Sequence, residues 1–538
     1  MMEKVWLNQY PEDIKTTVDI PVKTIPDILT ETTEKYPQHI ALTFYGNEMT
    51  YEKLAQLSQA FASALQGSGV QKGDRVAIML PNCPQFVISY YGILTAGAIV
   101  TQVNPMLVER ELAHILIDSG AETIVVFDAL YPRLKAVQEQ TKVKNVIVVS
   151  FGEPASLEED LSFEQFLNTA KSFTPPKFDP EQDVAVLQYT GGTTGRSKGA
   201  MLTHRNLMAN LEQVYEFFKN DFEVGKERTL TVIPLFHVFG MTSCMNLAIY
   251  TAATNILLPR FDLQEVLETI KKEKPTTFPG VPTMYVAITN HPNAQDYRID
   301  SIRICNSGSA PMPVELMRDF ESKTGAKILE GYGLSETAPT THVNPMFSKT
   351  KPGSVGIGIP STDYKIVDVA SGTEEVPTGE IGEVIIRGPQ VMKGYWNMPE
   401  ETQHTLRNGW LYTGDIGKVD EEGYLYIVDR KKDMIIASGF NIYPRDIEEV
   451  LYEHEAVQEA VVIGVPDPYR GETVKAVIVL KQGRTADEQD MMKYCQKNLA
   501  AYKVPKIIEF RNELPKTSVG KILRRTLREE HQEDKKMS

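Results

Sequence analysis

Three observations predict an α/β protein: a large N-terminal domain of α/β sheets with a β-rich subdomain (residues 1–431), then a small α+β C-terminal domain (432–538). Short Val/Ile runs alternate with helical patterns over the first 170 residues and again from 183 to about 344, as in helix-covered parallel sheets. Residues 353–383 then turn rich in Gly, Pro and short apolar runs. After Asp429-Arg430 the order becomes strand, helix, strand, strand, in about a hundred residues, a usual domain size.

In chain order, residues 26–36 and 51–66 read as helices around a short strand at 40–45. A strand at 75–80 follows the Gly73-Asp74 turn, and 85–96 reads as a buried helix. Residues 123–127 and 145–150 are further strands with a charged helix between them. Residues 171–182 form a Pro-rich connector, and 184–189 is a strand. In the C-terminal part the expected elements are strands at 434–437, 460–465 and 473–480 and a helix from Pro444. Pro suits a first helical turn, and Ile447, Val450, Leu451 and His454 form the expected inward stripe.

The 538 residues carry 56 Lys+Arg against 71 Asp+Glu, a net charge of −15, which argues against a nucleic-acid binder. Four scattered cysteines without a CxxC pair exclude a disulfide scaffold and a Cys-based zinc site, and fit a reducing cytoplasm. The first fifteen residues mix both charges and lack the apolar core of a secretory signal. Residues 76–108 and 229–259 contain no Asp, Glu, Lys or Arg. Pro and Gly interrupt the first and polar groups the second, so both read as interior segments rather than membrane spans. The second is a candidate lining for an apolar cavity.

The most specific string is 189–199, YTGGTTGRSKG, at the end of a strand. Its glycines let backbone N–H groups approach an anion, its threonines add hydroxyl donors and Lys198 adds a charge. It lacks the GK[ST] ending of a Walker A loop. Together with its extension through LQYTGGTTGRSKGAMLTHRN, the string resembles the signature loop of the adenylate-forming superfamily of acyl-CoA synthetases, adenylation domains and luciferases. It is most similar to bacterial long-chain fatty-acid–CoA ligases. The likeness runs from about Thr24 to Arg525.

The resemblance assigns phosphate contacts to Thr190, Gly191, Gly192, Thr193, Thr194, Gly195 and Lys198. Gly308, Ser309 and Ala310 become part of the adenine pocket. In EGYGLSET (330–337) it places Glu330, Gly331, Tyr332 and Gly333 at the nucleotide, with Tyr332 stacking on adenine. Ser335 donates to the α-phosphate, and Glu336, a hard oxygen ligand, holds Mg²⁺ with Thr190 as the second contact. Asp415 and Arg430 reach the ribose, and Lys432 is the hinge of a mobile C-terminal domain. Gly439 and Asn441 lie on the loop that enters for thioester formation, and Lys521 is the catalytic lysine. His237, in FHVFG, sits beside the acyl carboxylate, and Gly240, Thr242 and Ser243 are small enough to leave an alkyl channel open.

The implied activity is an acyl-CoA ligase that uses ATP and CoA as co-substrates with Mg²⁺, by way of an acyl-adenylate. A medium-chain, short-chain or aryl acid is the alternative substrate. An amino acid is disfavoured, since no acidic residue lies near His237 to meet its ammonium. A luciferase-like oxygenase gains no support from the residues. A non-catalytic nucleotide- or lipid-binding protein would not need Lys198, Glu336, Asp415, Arg430 and Lys521 together. Ser197 and Ser335 stand where many relatives have Pro and Thr. The expected location is cytoplasmic. Peripheral contact with the inner membrane face and a homodimer both stay open.

Overall fold

The computed structural model describes residues 4–152, 160–190, 197–310, 312–437, 440–467, 470–517 and 520–537. Four sheets appear among them. In the first, Val184–Thr190, Ile99–Gln102, Arg75–Met79, Thr123–Phe127, Asn145–Val149 and Leu161–Ser162 lie side by side and parallel. Helix Tyr51–Gly67, capped by Thr50 accepting from the Lys53 N–H, packs on the buried helix Pro84–Thr95. The approach is so close that a Cβ at Gly92 would lie 2.8 Å from the Phe61 ring.

The second sheet holds the site's central strands. Arg228–Thr231, Thr277–Gly280, Ile304–Ser307 and Lys327–Gly333 run parallel, each pairing with the next. Their C-terminal ends therefore face one side, where side chains for binding collect in open α/β sheets. The β-rich subdomain is an antiparallel sheet of Asp363–Val367, Gly382–Arg387, Leu406–Arg407, Trp410–Val419 and Leu425–Arg430, so it reaches well beyond residue 383. The last sheet, built on the long hairpin Val457–Asp467 and Gly471–Leu480, has its own core around Ile447, Leu451, Val462 and Ile478.

Three expectations need correction. Residues 190–199 are not all loop: strand Lys198–Thr203 pairs antiparallel with Val184–Thr190, so Thr190 and Lys198 face each other across a hairpin. Ala200 and Leu202 are buried, which draws the returning strand into the sheet. Asp415 sits within strand Trp410–Val419, opposite Arg430. Phe440–Ile442 is a strand paired to Ile435–Ala437 rather than a loop. In helix Pro444–Tyr452 only Pro444, Ile447 and Leu451 are buried; Val450 is partly exposed, and His454 lies beyond the last turn.

All four cysteines are buried and free. Among the described residues no helix is long and apolar enough to cross a membrane.

Candidate active site

Strand Lys327–Gly333 and the turn Ser335–Thr337 organise the cleft, because neighbouring residues on this segment lead to different groups of side chains. Glycine is needed where backbones meet: a Cβ at Gly333 would lie 2.0 Å from the Pro339 carbonyl oxygen, and at Gly331 3.3 Å from Asn306 Oδ1.

Tyr332 leads to the first group. Its hydroxyl donates to Asp415 Oδ2 at 2.5 Å, and Arg430 Nε lies 3.7 Å from Asp415 Oδ1. Burial raises the Asp415 pKa, against the pull of Arg430. Lys432 is close by, and burial beside Arg430 lowers its pKa to about 8. A carboxylate and a cation are thus held in cross-strand register.

Glu336 leads to the second group. Its Oε1 accepts from the Tyr395 hydroxyl at 2.7 Å, and its carbonyl accepts from the Met392 N–H at 2.8 Å. The Tyr395 ring lies under Lys198 Nζ, 5.3 Å from the centroid, and Lys198 pairs with Glu401. Lys198, Tyr395 and Glu336 therefore form one connected cluster. Ser335 opens the adjoining turn and is partly exposed.

A third group gathers at the strand ends. Gly308 N–H donates to the Gly280 carbonyl at 3.3 Å, and a Cβ at Gly308 would meet the Phe239 ring at 3.3 Å. Ser309 adopts a positive φ of 67° and, like Ala310, is partly exposed. Gly520, φ 73°, presses the C-terminal domain onto this region: a Cβ there would lie 2.6 Å from Thr283 Oγ1 and 3.2 Å from Val281. Lys521 follows in a tight turn, its N–H donating to Thr517 Oγ1 at 3.1 Å and its carbonyl accepting from Thr517 N–H at 2.7 Å.

His237 accepts the Phe239 N–H on Nδ1 at 3.2 Å, and burial lowers its pKa to about 4. The neutral ring therefore carries its proton on Nε2. Next to it, Gly240–Asn246 is wound as a π-helix, a form that often marks functional sites. Ser243 on this turn lines a cavity with Phe218, Leu247 and Ala248, facing Thr277 and Asn306 of the sheet. Gly240 serves backbone packing instead, since a Cβ would lie 2.3 Å from the Pro234 carbonyl oxygen, and Thr242 is buried.

Among the expected residues, Glu330 has an enclosed carboxyl. Its Oε1 accepts from Met312 N–H at 3.2 Å, its Oε2 has no partner, and Arg445 of the C-terminal domain is 4.0 Å away. Burial raises its pKa to about 7. Through that bond it holds the Met312 backbone. Gly191, Gly192, Thr193, Thr194, Gly195 and Gly439 lie outside the described residues, as do the side chains of Thr190 and Asn441.

The sequence reading missed Tyr395 and Glu401, whose only signal is GYWNMPEET at the rim of the β-rich subdomain. It also missed Asp429, which accepts from the Arg445 N–H at 3.1 Å and lies 3.9 Å from Arg524. Both partners belong to the C-terminal domain, so no local pattern announces them.

Mg²⁺ fits the donor set at Glu336. Among the described residues no cluster of three or more acidic, His or Cys side chains could hold a metal alone. A single carboxylate suits an ion that takes its remaining ligands from substrate phosphates and water.

Known proteins resemble this chain along nearly its whole length. The AMP-binding enzyme family model matches residues 29–396, and the AMP-binding enzyme C-terminal domain model matches 446–521. A long-chain-fatty-acid–CoA ligase of Bacillus subtilis (strain 168) is 49% identical over 99% of both chains. The anthranilate CoA ligase AuaEII in complex with anthranoyl-AMP superposes with TM-score 0.89 at 30% identity, covering 96% of this chain and 99% of that one. ATP-bound MatB from Rhodopseudomonas palustris gives 0.87 and its apo form 0.76, both at 30% identity over 95% of this chain and 99% of that one. The present arrangement is thus nearer that protein's nucleotide-bound form. Matched by both family models in order, and by near full-length relatives, this chain belongs to the AMP-binding enzyme family.

Proposed function

We propose that the chain is an ATP-dependent fatty-acid–CoA ligase. The acid's carboxylate oxygen attacks the α-phosphorus of ATP, pyrophosphate leaves, and the acyl-adenylate results. The CoA thiol, losing its proton, then attacks the acyl carbonyl and AMP leaves. The observation that carries the reading is the convergence on one cleft of the Lys198–Tyr395–Glu336 cluster, the Tyr332–Asp415–Arg430 cluster and the turn bearing Lys521.

Both first-step reactants are anionic, so charge repulsion dominates the barrier. Thr190 to Gly195 and Lys198 take the leaving phosphates, Ser335 the α-phosphate, and Lys521 the junction between carboxylate and α-phosphorus. Such contacts in a water-excluded site contribute a few kcal/mol each. Gly308, Ser309, Ala310 and the Tyr332 ring hold adenine, while Asp415 and Arg430 hold the ribose. Mg²⁺ held by Glu336 and Thr190 neutralises phosphate charge when bound. His237 offers its Nε2 proton to the acid without adding charge, and the cavity beyond takes the alkyl chain.

The second step needs Lys521 withdrawn and the segment bearing Gly439 and Asn441 brought in, which a turn about Lys432 achieves. The contacts around that residue support it as the pivot. Lys431 N–H donates to the Gly414 carbonyl at 2.9 Å and its Nζ pairs with Glu383 at 3.0 Å, both N-terminal partners. Asp433 instead pairs with Arg528 of the C-terminal domain at 2.9 Å. We place the domain boundary there, with 1–431 and 432–538 as the moving bodies. In this reading the enzyme is cytoplasmic, and contact with a membrane, where its substrate partitions, is peripheral.

The test is pyrophosphate release with ATP and Mg²⁺ across acids from acetate to stearate, with and without CoA. Release that depends on a fatty acid and is sustained by CoA is expected. Release independent of added acid would overturn the reading, and a preference for benzoate would move it to an aryl acid.

A further inference from the structure

The cavity lined by Ser243, Phe218 and Leu247 has a definite far end. Thr229, Thr277 and Ile304 stand level across the parallel strands, with Pro279 and Asn306 level two residues nearer the cleft. The hydroxyls of Thr277 and Thr229 bond each other at 3.0 Å, so the polar atoms of this ring satisfy one another. Two residues further from the cleft than Thr229 the lining ends at Glu227. From the Asn306 level to the Glu227 level is four residues of strand, about 13 Å at ~3.3 Å per residue. With a zigzag advance of about 1.25 Å per methylene, that path is as long as about ten methylenes; the open volume is about 50 Å³, so the side walls part to admit a chain and the end wall limits how far it runs.

Glu227 is 3% exposed and fully engaged: it accepts from the Glu223 N–H at 2.8 Å and from the Thr276 hydroxyl, and pairs with Arg303. Arg303 is 44% exposed and also donates to the Asp221 carbonyl at 3.0 Å. Cavity lies on one side of this pair and water on the other, so the wall is one ion pair thick. An alkyl terminus that reached it would have to part a buried carboxylate from its cation, and an unpaired buried charge is costly.

We infer that the Glu227–Arg303 pair is the end wall of the acyl cavity and sets the longest chain the enzyme accepts; this rests on reading the cavity as the acyl site. Saturated acids lengthened by one or two carbons pack better until the terminal methyl meets Glu227, and longer ones are turned away. The pair is a specificity determinant and takes no part in the chemistry.

The experiment measures kcat/KM for acids from octanoate to stearate in wild type, Arg303→Ala and Arg303→Lys. Arg303→Ala opens the wall to solvent, and the stearate-to-octanoate ratio is expected to rise about tenfold, the scale of one-methylene discrimination in an apolar pocket. Arg303→Lys keeps the charge pair and is expected to return the wild-type ratio. Glu227→Gln, which keeps the volume and drops the charge, gives the same rise and replaces Arg303→Ala if that variant fails to fold. A uniform loss across all acids, with the ratio unmoved, means that the pair is structural only and overturns the inference. Ala248→Phe, in the side wall, separates the two readings. If it leaves the chain-length profile unchanged, the acyl reading falls and takes the end wall with it. If it lowers kcat/KM selectively for the longest acids that the wild type accepts while the Arg303 and Glu227 variants keep the wild-type ratio, the end wall alone falls.

Discussion

On the nucleotide side of the cleft Lys198, Glu336, Asp415 and Arg430 each meet a charged or hydrogen-bonding partner within the protein. On the acyl side His237 is neutral, and the cavity lined by Ser243, Asn306 and alkyl and aromatic side chains, with Thr277 and Thr229 bonded to each other, meets no charged side chain until Glu227. The nucleotide half stores charge that incoming phosphates must re-pair. The acyl half has had charge removed, so that burial of a hydrocarbon is its only reward, at roughly 25 cal/mol per Å². Selectivity for ATP is then electrostatic and selectivity for the acid is steric, and variants in the two halves should fail in different ways.

The largest effect is expected where the halves meet. Lys521→Ala removes the cation at the junction of carboxylate and α-phosphorus, and adenylate formation should fall about 10²–10³-fold or more. Thioester formation from supplied acyl-AMP should stay near wild type, because that step follows withdrawal of the lysine. Single-turnover assays of the two half-reactions check this, and equal loss in both would mean that Lys521 serves both steps from one position. Lys432→Pro stiffens the pivot. Adenylation should persist while CoA transfer, and with it the overall rate, falls on the order of 10²-fold, about 2.7 kcal/mol. An unchanged overall rate would place the hinge elsewhere.

How much of this could be read beforehand differs between the halves. The strands at 75–79, 123–127 and 145–149 and the helices at 51–67 and 84–95 were legible, because continuous Val/Ile runs and apolar helical faces are local patterns. Lys198, Glu336 and Asp415 each stand in an unusual string, and the structure ties Lys198 and Glu336 to Tyr395 and Asp415 to Tyr332. Tyr395 and Glu401 were not legible, since what matters about them is a contact with Lys198 some 200 residues away. Glu330 stands in the same string and on the same strand face as Tyr332, yet its carboxyl is buried and accepts from the Met312 N–H, a contact that the string does not announce.

Glu330→Gln sharpens the contrast between stored and excluded charge. Burial holds this carboxyl at a pKa of about 7 against an ordinary 4.5. A carboxyl whose folded-state pKa is raised stabilises the fold below its unfolded value, and that contribution is lost as pH rises through the folded value. The window is therefore pH 4.5 to 7, and the difference is worth at most about 3 kcal/mol. Gln keeps the shape and cannot ionise. Its melting temperature relative to wild type should climb from pH 5 to pH 8 and level off above that. A flat difference would mean that Arg445, 4.0 Å away, keeps the carboxylate ionised throughout.

The smallest expected effect concerns the pair that ATP must break. Lys198 is 15% exposed and Glu401 40% exposed, so their attraction is partly screened and worth about 0.2–1 kcal/mol. Glu401→Gln releases the lysine for phosphate, and KM for ATP should fall by that amount, up to about fivefold, with kcat unchanged. Steady-state titrations of ATP at saturating acid and CoA measure it. A rise in KM would reverse the reading of the pair: Glu401 would then hold Lys198 over the Tyr395 ring in the place where the phosphates arrive, and the stored charge on this side of the cleft would be preorganisation rather than competition. The sign of one KM change thus decides whether the nucleotide half waits with its charges blocked or with them aimed.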